Sequence, residues 1–461
     1  MIGCGRGFRR EPLEVFLASS ILVTNARLFD GTGEEAIPNA AIWIEGDEIR
    51  AAGAADAVRG MPEDIARVDV GGRFVMPGLI ESHAHLSYWN AQKLEDLDLK
   101  SPVERTTIRA AVNARTMLRS GYTSACSFGT LANVDVEIRD AIEGGVIPGP
   151  RYLACGRDVV GTAGMADWNP DFAKIGMEGL ANIANGPWEV RSAVRTIRKT
   201  GADTVKLYID GECMTEHDLP GECAYTQEEI SAACDEAHRR GLRVVAHARS
   251  AEAVKLAVRG GVDVVGHANY LDDEALELLA GARHTSYVTP AIHWEVGLYR
   301  DGPGFGLDPA ALDAMGYRRE IDEACISVRK MRSKGVKLLP GGDFGFAWTA
   351  HGTYARDLEN FVTLFGFTAH DVLVAGTRDA GEMVGFGGRV GTLEAGKYAD
   401  LLVIDGDPLA DIRVLQDHSK IVGVMKGGEW FHNALAGAPV AADRPAPLGS
   451  PAEDPALVVA H

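Results

Sequence analysis

Between residues 78 and 383, short apolar runs alternate with stretches of helical periodicity. A repeating strand–helix pattern of this kind is typical of a parallel sheet whose strands are connected by helices. The candidate strands are residues 78–85, 124–129, 151–156, 204–209, 243–248, 262–268, 285–291 and 337–344. Eight parallel strands close a TIM-type barrel, so the pattern predicts an α/β fold with a (β/α)8 barrel.

Strand-like segments lie on both sides of this repeat. Residues 21–23 and 41–44 precede it, and residues 399–404 and 421–425 follow it, the last ending in a Lys-Gly-Gly-Glu hairpin turn. The simplest arrangement joins both flanks into one small sheet domain. We therefore predict an arm at residues 1–20, a β-sandwich from residues 21–76 plus 386–432, a barrel at residues 77–385, and a proline-rich tail at residues 433–461.

Two of the predicted helices carry start signals. Thr226 and Glu229 have the spacing of a capping box before a run to residue 240, and Thr368 opens a run to residue 384. In a capping box the first and fourth side chains each accept a hydrogen bond from a backbone N–H of the other residue. Helices are therefore expected to begin directly after Thr226 and Thr368.

Composition narrows the class of protein. The 461 residues carry a formal net charge of −19, which argues against nucleic acid as a partner. No apolar run reaches the ~18–20 residues of a membrane helix, and the first twenty residues do not resemble a signal peptide. Seven scattered cysteines argue against a disulfide framework. We expect a cytoplasmic homo-oligomer that acts on a small-molecule substrate without a membrane partner.

Polar residues capable of binding metals recur where the predicted strands end, which is where barrel active sites lie. His83 and His85 alternate on one strand and so point to the same face. Each candidate alone has an ordinary explanation, because a histidine can be a hydrogen-bonded core residue and Lys206 can belong to a buried ion pair. The complete set is harder to explain in that way: His83, His85, Lys206, His247, His267 and Asp343.

With these residues the chain resembles the amidohydrolase superfamily. Metal-dependent members have His-x-His on strand one, a carboxylated lysine on strand four, histidines on strands five and six, and an aspartate on strand eight. The stretch 391–401 is also similar to the family's return into its small β domain, and the resemblance covers roughly residues 21–432. It implies a binuclear centre of two divalent ions, Zn²⁺ in preference to Co²⁺ or Mn²⁺. Its ligands would be His83, His85 and Asp343 for one ion, His247 and His267 for the other, and carboxylated Lys206 bridging both.

The resemblance also implies a mechanism. Two cations that share a water lower its pKa enough to make hydroxide available near neutral pH. Asp343 would accept the proton of that hydroxide and pass it to a leaving amine, while the second metal polarises the scissile carbonyl. The implied reaction is hydrolysis of a C–N bond beside a carbonyl, in an amide, carbamate or urea.

Within the superfamily the chain looks most like the group of Xaa-Pro dipeptidases, ochratoxin-hydrolysing amidohydrolases, and molinate and phenylurea hydrolases. It departs from the peptidases in the loop at residues 161–167, which lacks a histidine, and in Gly266, where glutamate is common. The missing histidine would weaken binding of a peptide carboxylate. We therefore expect a small apolar substrate such as a phenylurea or thiocarbamate, with an Xaa-Pro dipeptidase or an N-acyl amino acid or ochratoxin-type amidase as the alternative.

Aromatic, sulfur and charged side chains in the loops after the strands are candidates for the substrate pocket. Any one of them can be an ordinary surface residue, and Arg157 or Arg249 could instead bind an anionic substrate. The substrate-contact candidates are Met165, Trp168, Tyr208, His217, Arg249, His293, Trp294 and His351.

Two functions from other classes fit the six candidate metal ligands less well than a binuclear hydrolase does. A non-catalytic barrel scaffold would be expected to have lost metal ligands, whereas this chain keeps all six. A mononuclear deaminase would not need Lys206. The metal content of each chain would separate both from a binuclear hydrolase.

Overall fold

The structure is a computed structural model that describes residues 20–170, 172, 179–214 and 218–435. Most of the predicted arm and tail, and His217, lie outside the described residues. The strands are β1 Ser20–Leu28, β2 Ile37–Glu45, β3 Glu48–Ala54, β4 Ala66–Asp69, β5 Phe74–Pro77, β6 Leu79–Ala84, β7 Tyr122–Ser127, β8 Arg151–Leu153, β9 Asp158–Val160, β10 Ala181–Ile183, β11 Thr204–Tyr208, β12 Arg243–Ala248, β13 Val264–His267, β14 Tyr287–Thr289, β15 Leu401–Ile404, β16 Ile421–Lys426 and β17 Glu429–Asn433.

The α-helices are α1 Leu94–Leu99, α2 Val103–Arg119, α3 Val134–Glu143, α4 Gly186–Thr200, α5 Gln227–His238, α6 Ala251–Gly260, α7 Asp273–Gly281, α8 His293–Arg300, α9 Pro309–Met315, α10 Tyr317–Ser333, α11 Ala355–Thr363, α12 Ala369–Val374 and α13 Ala380–Val384. Helix α5 begins with the predicted capping box between Thr226 and Glu229. Helix α12 follows Thr368 as expected, and a π-helical turn separates it from α13, so the run to residue 384 is interrupted. Both helix starts are confirmed.

The two flanks of the chain form one eight-stranded sheet. Its order is β17-β16-β15-β5-β1-β2-β3, with β4 also beside β1. The antiparallel pair β5–β15 joins the N-terminal and C-terminal segments, with Met76 opposite Leu402. Val23, Ile42 and Val403 are buried in the core beneath the sheet. The two flanks thus pair in one sheet, while the two-layer sandwich and the domain limits stay predictions.

Parallel strands form the central part of the chain as two ladders. One ladder has the order β6-β7-β8, and the other has the order β10-β9-β11-β12-β13-β14. An isolated parallel bridge between Cys155 and Thr204 connects the end of β8 to the start of β11. Strands β9 and β10 were not predicted and lie beyond the expected end of the third run. The fold is therefore mixed α/β, and within the described residues the parallel strands form two ladders that do not close into a barrel.

The eighth predicted strand, at residues 337–344, does not form as a regular strand. Residues 337–344 contain no strand and pair with β14 only through an isolated bridge between Val288 and Leu338. Pro340 has no N–H to donate to a ladder, and the two glycines that follow it weaken a strand. Gly341 instead approaches β6 closely, since a Cβ there would lie 2.8 Å from the backbone nitrogen of His83.

Two buried carboxylates connect β6 to this eighth segment. The backbone N–H groups of His83 and Gly342 both donate to Oε1 of Glu81, at 3.2 and 3.1 Å. The N–H of Gly341 donates to Oδ2 of Asp357 at 3.0 Å. Burial, assisted by Asp357, raises the pKa of Glu81 well above its usual range. Side chains thus replace ladder hydrogen bonds at this junction.

None of the helices in the described part of the chain combines the length and the hydropathy needed to cross a bilayer. The six cysteines of the described ranges are all free, in agreement with the expected lack of a disulfide framework. The cytoplasmic location and the homo-oligomeric state stay predictions.

Substitutions of Glu81 should show whether the hydrogen bonds accepted by its Oε1, and not only the volume of its side chain, stabilise the fold. Glu81→Met leaves two buried N–H groups without an acceptor, each costing ~1–3 kcal/mol, so the free energy of unfolding should fall by about 2–4 kcal/mol. Glu81→Gln keeps an acceptor oxygen and should cost less than about half of that. Urea unfolding of the metal-free protein measures both values. Equal losses in the two variants would contradict a hydrogen-bonding role for Glu81.

Candidate metal centre

The first two predicted ligands lie at the end of β6. His83 and His85 are separated by one residue, so strand alternation places both imidazoles on one face. Their ring centroids are 5.3 Å apart, and both side chains are buried. The carbonyl of Gly129 accepts a hydrogen bond from Nδ1 of His85 at 3.1 Å. That bond fixes the ring so that its other nitrogen, Nε2, is available to a ligand.

The neighbouring strands β12 and β13 supply two further imidazoles. In this parallel pair His247 lies opposite Gly266, and Ala248 lies opposite His267. The rings of His247 and His267 are 4.4 Å apart, and the ring of His267 is 5.4 Å from that of His83. Four buried imidazoles therefore meet in one place.

Asp343 completes this group from the eighth segment. Its Oδ1 lies 3.2 Å from Nε2 of His85 and 3.8 Å from Nε2 of His83. Asp343 and His267 have φ values of 55° and 74°, a backbone region that residues other than glycine seldom adopt. Strained backbone of this type concentrates at functional sites. One ligand atom each from His83, His267 and Asp343 lies within 4.8 Å of the others.

Lys206 reaches the same place from β11. The side chain is buried, and its Nζ lies 4.7 Å from the ring centre of Phe128. The other neighbour of that ring is His83, which stacks on Phe128 at 3.9 Å. The structure therefore brings all six predicted ligands together.

Burial sets the protonation states of these groups. It lowers the pKa of His83, His247 and His267 well below the usual range, so all three are neutral at pH 7. Burial alone would raise the pKa of Asp343, but His83 and His85 outweigh it and hold this pKa below its usual range. Neutral imidazole and ionised carboxylate are the forms that bind metal ions.

Several buried nitrogens in the group have no hydrogen-bond partner in the described residues. They are Nδ1 of His83 and both ring nitrogens of His267. An unpartnered buried polar atom is costly, so a native structure that keeps one has a use for it. Imidazole nitrogens beside an ionised carboxylate are a donor set that divalent transition metals prefer. These residues fit a divalent metal ion.

Aromatic side chains surround the centre. The ring of Tyr208 lies 5.4 Å from that of His247, and Trp294 contacts the rings of Phe346 and Trp348 at 5.7 and 5.5 Å. Met165 packs against the same cluster. Of the predicted substrate contacts, Tyr208, Trp294 and Met165 therefore lie in an apolar shell near the centre.

Arg249 is engaged by carboxylates rather than open to a ligand. It forms buried ion pairs with Glu295 and with Glu320, and Glu212 lies 3.8 Å from its other terminal nitrogen. Burial raises the pKa of Glu212 to about 8 and that of Glu295 to about 7. Three glutamates around one guanidinium leave it no excess positive charge for an anionic substrate.

Three other predicted substrate contacts bond to protein groups. His351 uses both ring nitrogens, toward the hydroxyl of Tyr354 at 2.8 Å and the carbonyl of Tyr88 at 3.0 Å. Nδ1 of His293 lies 3.2 Å from the amide nitrogen of Asn360. The indole N–H of Trp168 donates to Asp98 at 2.8 Å. The role of these three side chains as substrate contacts stays a prediction.

Two residues near the centre were not among the sequence candidates. Glu81 precedes His83 by two positions, so strand alternation could have placed it on the same face. Asp158 was not included because the third strand was expected to end before it. Tyr88, an aromatic residue of the loop after the first strand and so a candidate for the substrate pocket, stacks on His85 at 4.1 Å.

The profile of the amidohydrolase family matches residues 74–431, so this chain belongs to that family. Ochratoxinase from Aspergillus niger is 28% identical over 378 residues, which cover 77% of this chain and 75% of that protein. The crystal structure of an Xaa-Pro dipeptidase with bound methionine matches with a TM-score of 0.79 at 27% identity, covering 90% of this chain and 100% of the other. The predicted resemblance is confirmed.

Two more distant structures share the fold alone. Molinate hydrolase has a TM-score of 0.73 at 20% identity, covering 92% of this chain and 96% of the other. Phenylurea hydrolase B has a TM-score of 0.71 at 22% identity, covering 89% and 96%. Family membership identifies the chain as a hydrolytic enzyme that acts on C–N bonds.

Divalent metal should stabilise the fold through this centre. At a hundredfold excess over its dissociation constant, a bound ion adds about 2.7 kcal/mol to the free energy of unfolding. His267→Ala should lose at least half of that metal-induced gain, whereas His284→Ala, at an exposed position, should keep it. Thermal unfolding with Zn²⁺ and with a chelator measures the gain. An equal gain in both variants would place the metal elsewhere.

Proposed function

We propose that this amidohydrolase hydrolyses a C–N bond next to a carbonyl in a small, largely apolar substrate of the phenylurea or thiocarbamate type. The proposal rests mainly on one observation, the convergence of four buried imidazoles, the Asp343 carboxylate and the Lys206 amine in one place. No simpler role accounts for so many unpaired ligand atoms in an apolar interior.

In this proposal two divalent ions occupy the centre, Zn²⁺ in preference to Co²⁺ or Mn²⁺. His83, His85 and Asp343 hold one ion, and His247 and His267 hold the other. Lys206, whose pKa is lowered by burial, would be carboxylated and would supply a further anionic ligand to the ions. Such ions supply an activated water and polarise the scissile carbonyl when they are bound.

Asp343 is the proposed proton carrier. Its low pKa keeps the carboxylate ionised, and one oxygen already faces His83 and His85. The other oxygen can accept a proton from the attacking water and deliver it to the leaving nitrogen. A protonated leaving nitrogen departs as a neutral amine, which lowers the barrier to C–N cleavage.

The apolar shell supports the assignment of a neutral substrate. Tyr88, Trp294, Phe346 and Trp348 are all buried and exclude water from the centre. A low dielectric strengthens the electrostatic stabilisation of charge that develops on the carbonyl oxygen. Urea and carbamate carbonyls are weak electrophiles, so this stabilisation matters more for them than for activated esters.

Arg249 also favours a neutral substrate. Arg249 is one of the two arginines, with Arg157, that the sequence offers for binding a substrate carboxylate. Its ion pairs with Glu295 and Glu320, both made through Nη1, already balance its positive charge. Releasing it for a substrate would leave buried glutamates uncompensated, which costs several kcal/mol.

The second candidate is an Xaa-Pro dipeptidase or an amidase acting on N-acyl amino acids or ochratoxin-like amides. The observation in its favour is similarity, since the relatives at 27–28% identity carry those names. These substrates end in a carboxylate, so this candidate requires an anion-binding group other than Arg249.

Asp343→Asn should keep the fold and reduce turnover. The amide oxygen can still bind a metal ion, but it cannot accept a proton, so kcat should fall by ~10² or more. Asp273→Asn, at an exposed site on α7, is the matched control and should leave kcat unchanged. Steady-state kinetics with metal analysis of each sample measures the effect. A loss of less than about tenfold at full metal content would remove Asp343 from proton transfer.

A substrate panel should separate the two candidate functions. It comprises phenylureas, thiocarbamates, ochratoxin-like amides, N-acyl amino acids and Xaa-Pro dipeptides, each assayed for kcat/KM with metal and bicarbonate present. We expect the neutral ureas or thiocarbamates to be the best substrates. Dipeptide values above ~10⁴ M⁻¹s⁻¹, with no turnover of neutral compounds, would establish the peptidase instead.

A further inference from the structure

A cavity of about 590 Å³ lies at the end of the parallel strands that is opposite the metal centre. Arg151, the first residue of β8, lines this cavity. In the ladder β6-β7-β8, Ser124 lies opposite both Ile80 and Arg151. His83 and His85 are three and five residues beyond Ile80, which places them ~10–16 Å further along the strands. The cavity is therefore separate from the metal centre.

Four cationic side chains line the cavity, and three of them are paired with carboxylates. The ion pairs are Arg139 with Asp203 at 2.7 Å, Arg151 with Asp400 at 3.0 Å, and Arg389 with Glu48 at 3.2 Å. Each of these guanidinium groups therefore has a negative charge beside it, as Arg249 does. The fourth cation, Lys426, has different surroundings.

Lys426 ends β16 and forms no ion pair within the described part of the chain. Its ammonium group donates a hydrogen bond to the carbonyl oxygen of Gly149 at 2.6 Å. The carboxylate of Asp400 is engaged elsewhere, since it accepts hydrogen bonds from Arg151 and from the backbone N–H of Gly427. A carbonyl oxygen satisfies a donor but carries no net charge. The positive charge of Lys426 therefore has no counter-ion directly beside it.

The groups around Lys426 make its charged form unfavourable. Burial and then Arg151 lower the pKa of Lys426 to about 8, although Asp400, Glu143 and Glu429 act in the opposite direction. These carboxylates belong to three different parts of the chain, the residue before β15, the end of α3 and the start of β17. Together they do not fully compensate the positive charge. An anion that entered the cavity would supply the missing compensation.

One aromatic ring fixes the charged wall of the cavity. The guanidinium carbons of Arg151 and Arg389 lie 3.8 and 3.9 Å from the centre of the Tyr398 ring. These cation–π contacts hold both guanidinium groups in place, in addition to their ion pairs. Ile142 and Phe386 supply an apolar part of the lining. A fixed cationic wall beside an apolar one is suited to an organic anion.

We propose that this cavity, here called the Lys426 pocket, binds a small organic anion whose phosphate or carboxylate group pairs with Lys426. The pocket is defined by Arg139, Arg151, Phe386, Arg389, Tyr398 and Lys426. Its volume falls within the range of about 300–1,000 Å³ that is usual for small-molecule sites. A hydrogen bond between an ammonium group and an oxyanion is stronger than one between neutral groups. This second site does not depend on which substrate the metal centre hydrolyses.

The test measures the binding of benzoate and of phenyl phosphate to the metal-loaded enzyme by isothermal titration calorimetry. The two probes share an aromatic ring and differ in the anion, so their affinities show whether the pocket prefers a carboxylate or a phosphate. Wild type should bind at least one of them with a Kd of ~10⁻³ M or below. Lys426→Met keeps the length of the side chain and removes its charge, so it should weaken that binding about tenfold or more.

Two control variants locate the binding. Lys420→Met removes a lysine just before the same strand, whose ammonium lies 3.6 Å from Asp405, and it should keep the wild-type affinity within about twofold. His267→Ala tests the metal centre, because phosphate and carboxylate oxygens can also bind metal ions. It should likewise keep the affinity. A loss of binding in His267→Ala, with none in Lys426→Met, would place the anion at the metal centre and overturn the proposal.

The dependence of benzoate binding on pH separates the lysine from the arginines. Benzoate keeps its charge throughout this range, and the arginines stay protonated, whereas Lys426 loses its proton as the pH rises through a pKa of about 8. The affinity of wild type should therefore fall about tenfold between about pH 7 and about pH 9. Lys426→Arg carries its charge at both values and should bind equally well at both. Should Lys426→Met fail to fold, as judged by circular dichroism, Lys426→Arg decides the outcome on its own.

Three further results would each count against the Lys426 pocket as an anion site. The first is a wild-type enzyme that binds neither probe at ~10⁻² M. The second is an affinity that Lys426→Met leaves unchanged. The third is wild-type binding of benzoate that does not vary between about pH 7 and about pH 9. None of these measurements uses turnover, so their outcome is independent of the proposed hydrolytic function.

Discussion

The meeting of Asp343 with His83 and His85 is the contact on which the rest of the structure depends. One carboxylate oxygen faces two imidazoles that belong to a different segment of the chain. Holding that contact requires the end of β6 and the eighth segment to stay in register, although no strand ladder joins them in the described residues. Glu81 provides the connection, because it accepts hydrogen bonds from the backbone N–H of His83 and from that of Gly342, the residue before Asp343.

The same burial that holds these groups also prepares their chemistry. Exclusion of water keeps the imidazoles neutral and leaves their nitrogens free for metal ions, while the histidines keep Asp343 ionised. The ion pairs of Arg249 complete this arrangement, because they remove a positive charge that would otherwise attract carboxylates. The apolar shell and the ligand set therefore both favour metal-dependent hydrolysis of a neutral substrate.

Sequence patterns revealed what depends on local spacing. His83 and His85 follow from strand alternation, the start of α5 follows from its capping box, and the joined flanks follow from their β-type runs. The eighth strand was predicted from apolar residues alone, and Pro340 with its two glycines prevented a ladder there. The partners of Arg249 could not be predicted, because Glu295 and Glu320 lie 46 and 71 residues away along the chain. Asp158 was missed because its burial depends on pairing between strands that are far apart in sequence.

The central claim is that the six ligand side chains hold two divalent ions. The most direct measurement is an anomalous difference map at the zinc edge, from crystals of the protein grown with Zn²⁺ and bicarbonate. The account predicts two peaks ~3.5–4 Å apart, one beside His83, His85 and Asp343 and the other beside His247 and His267. Continuous density from Lys206 should lie between them. A single peak, or two peaks that do not both contact these residues, would contradict the account.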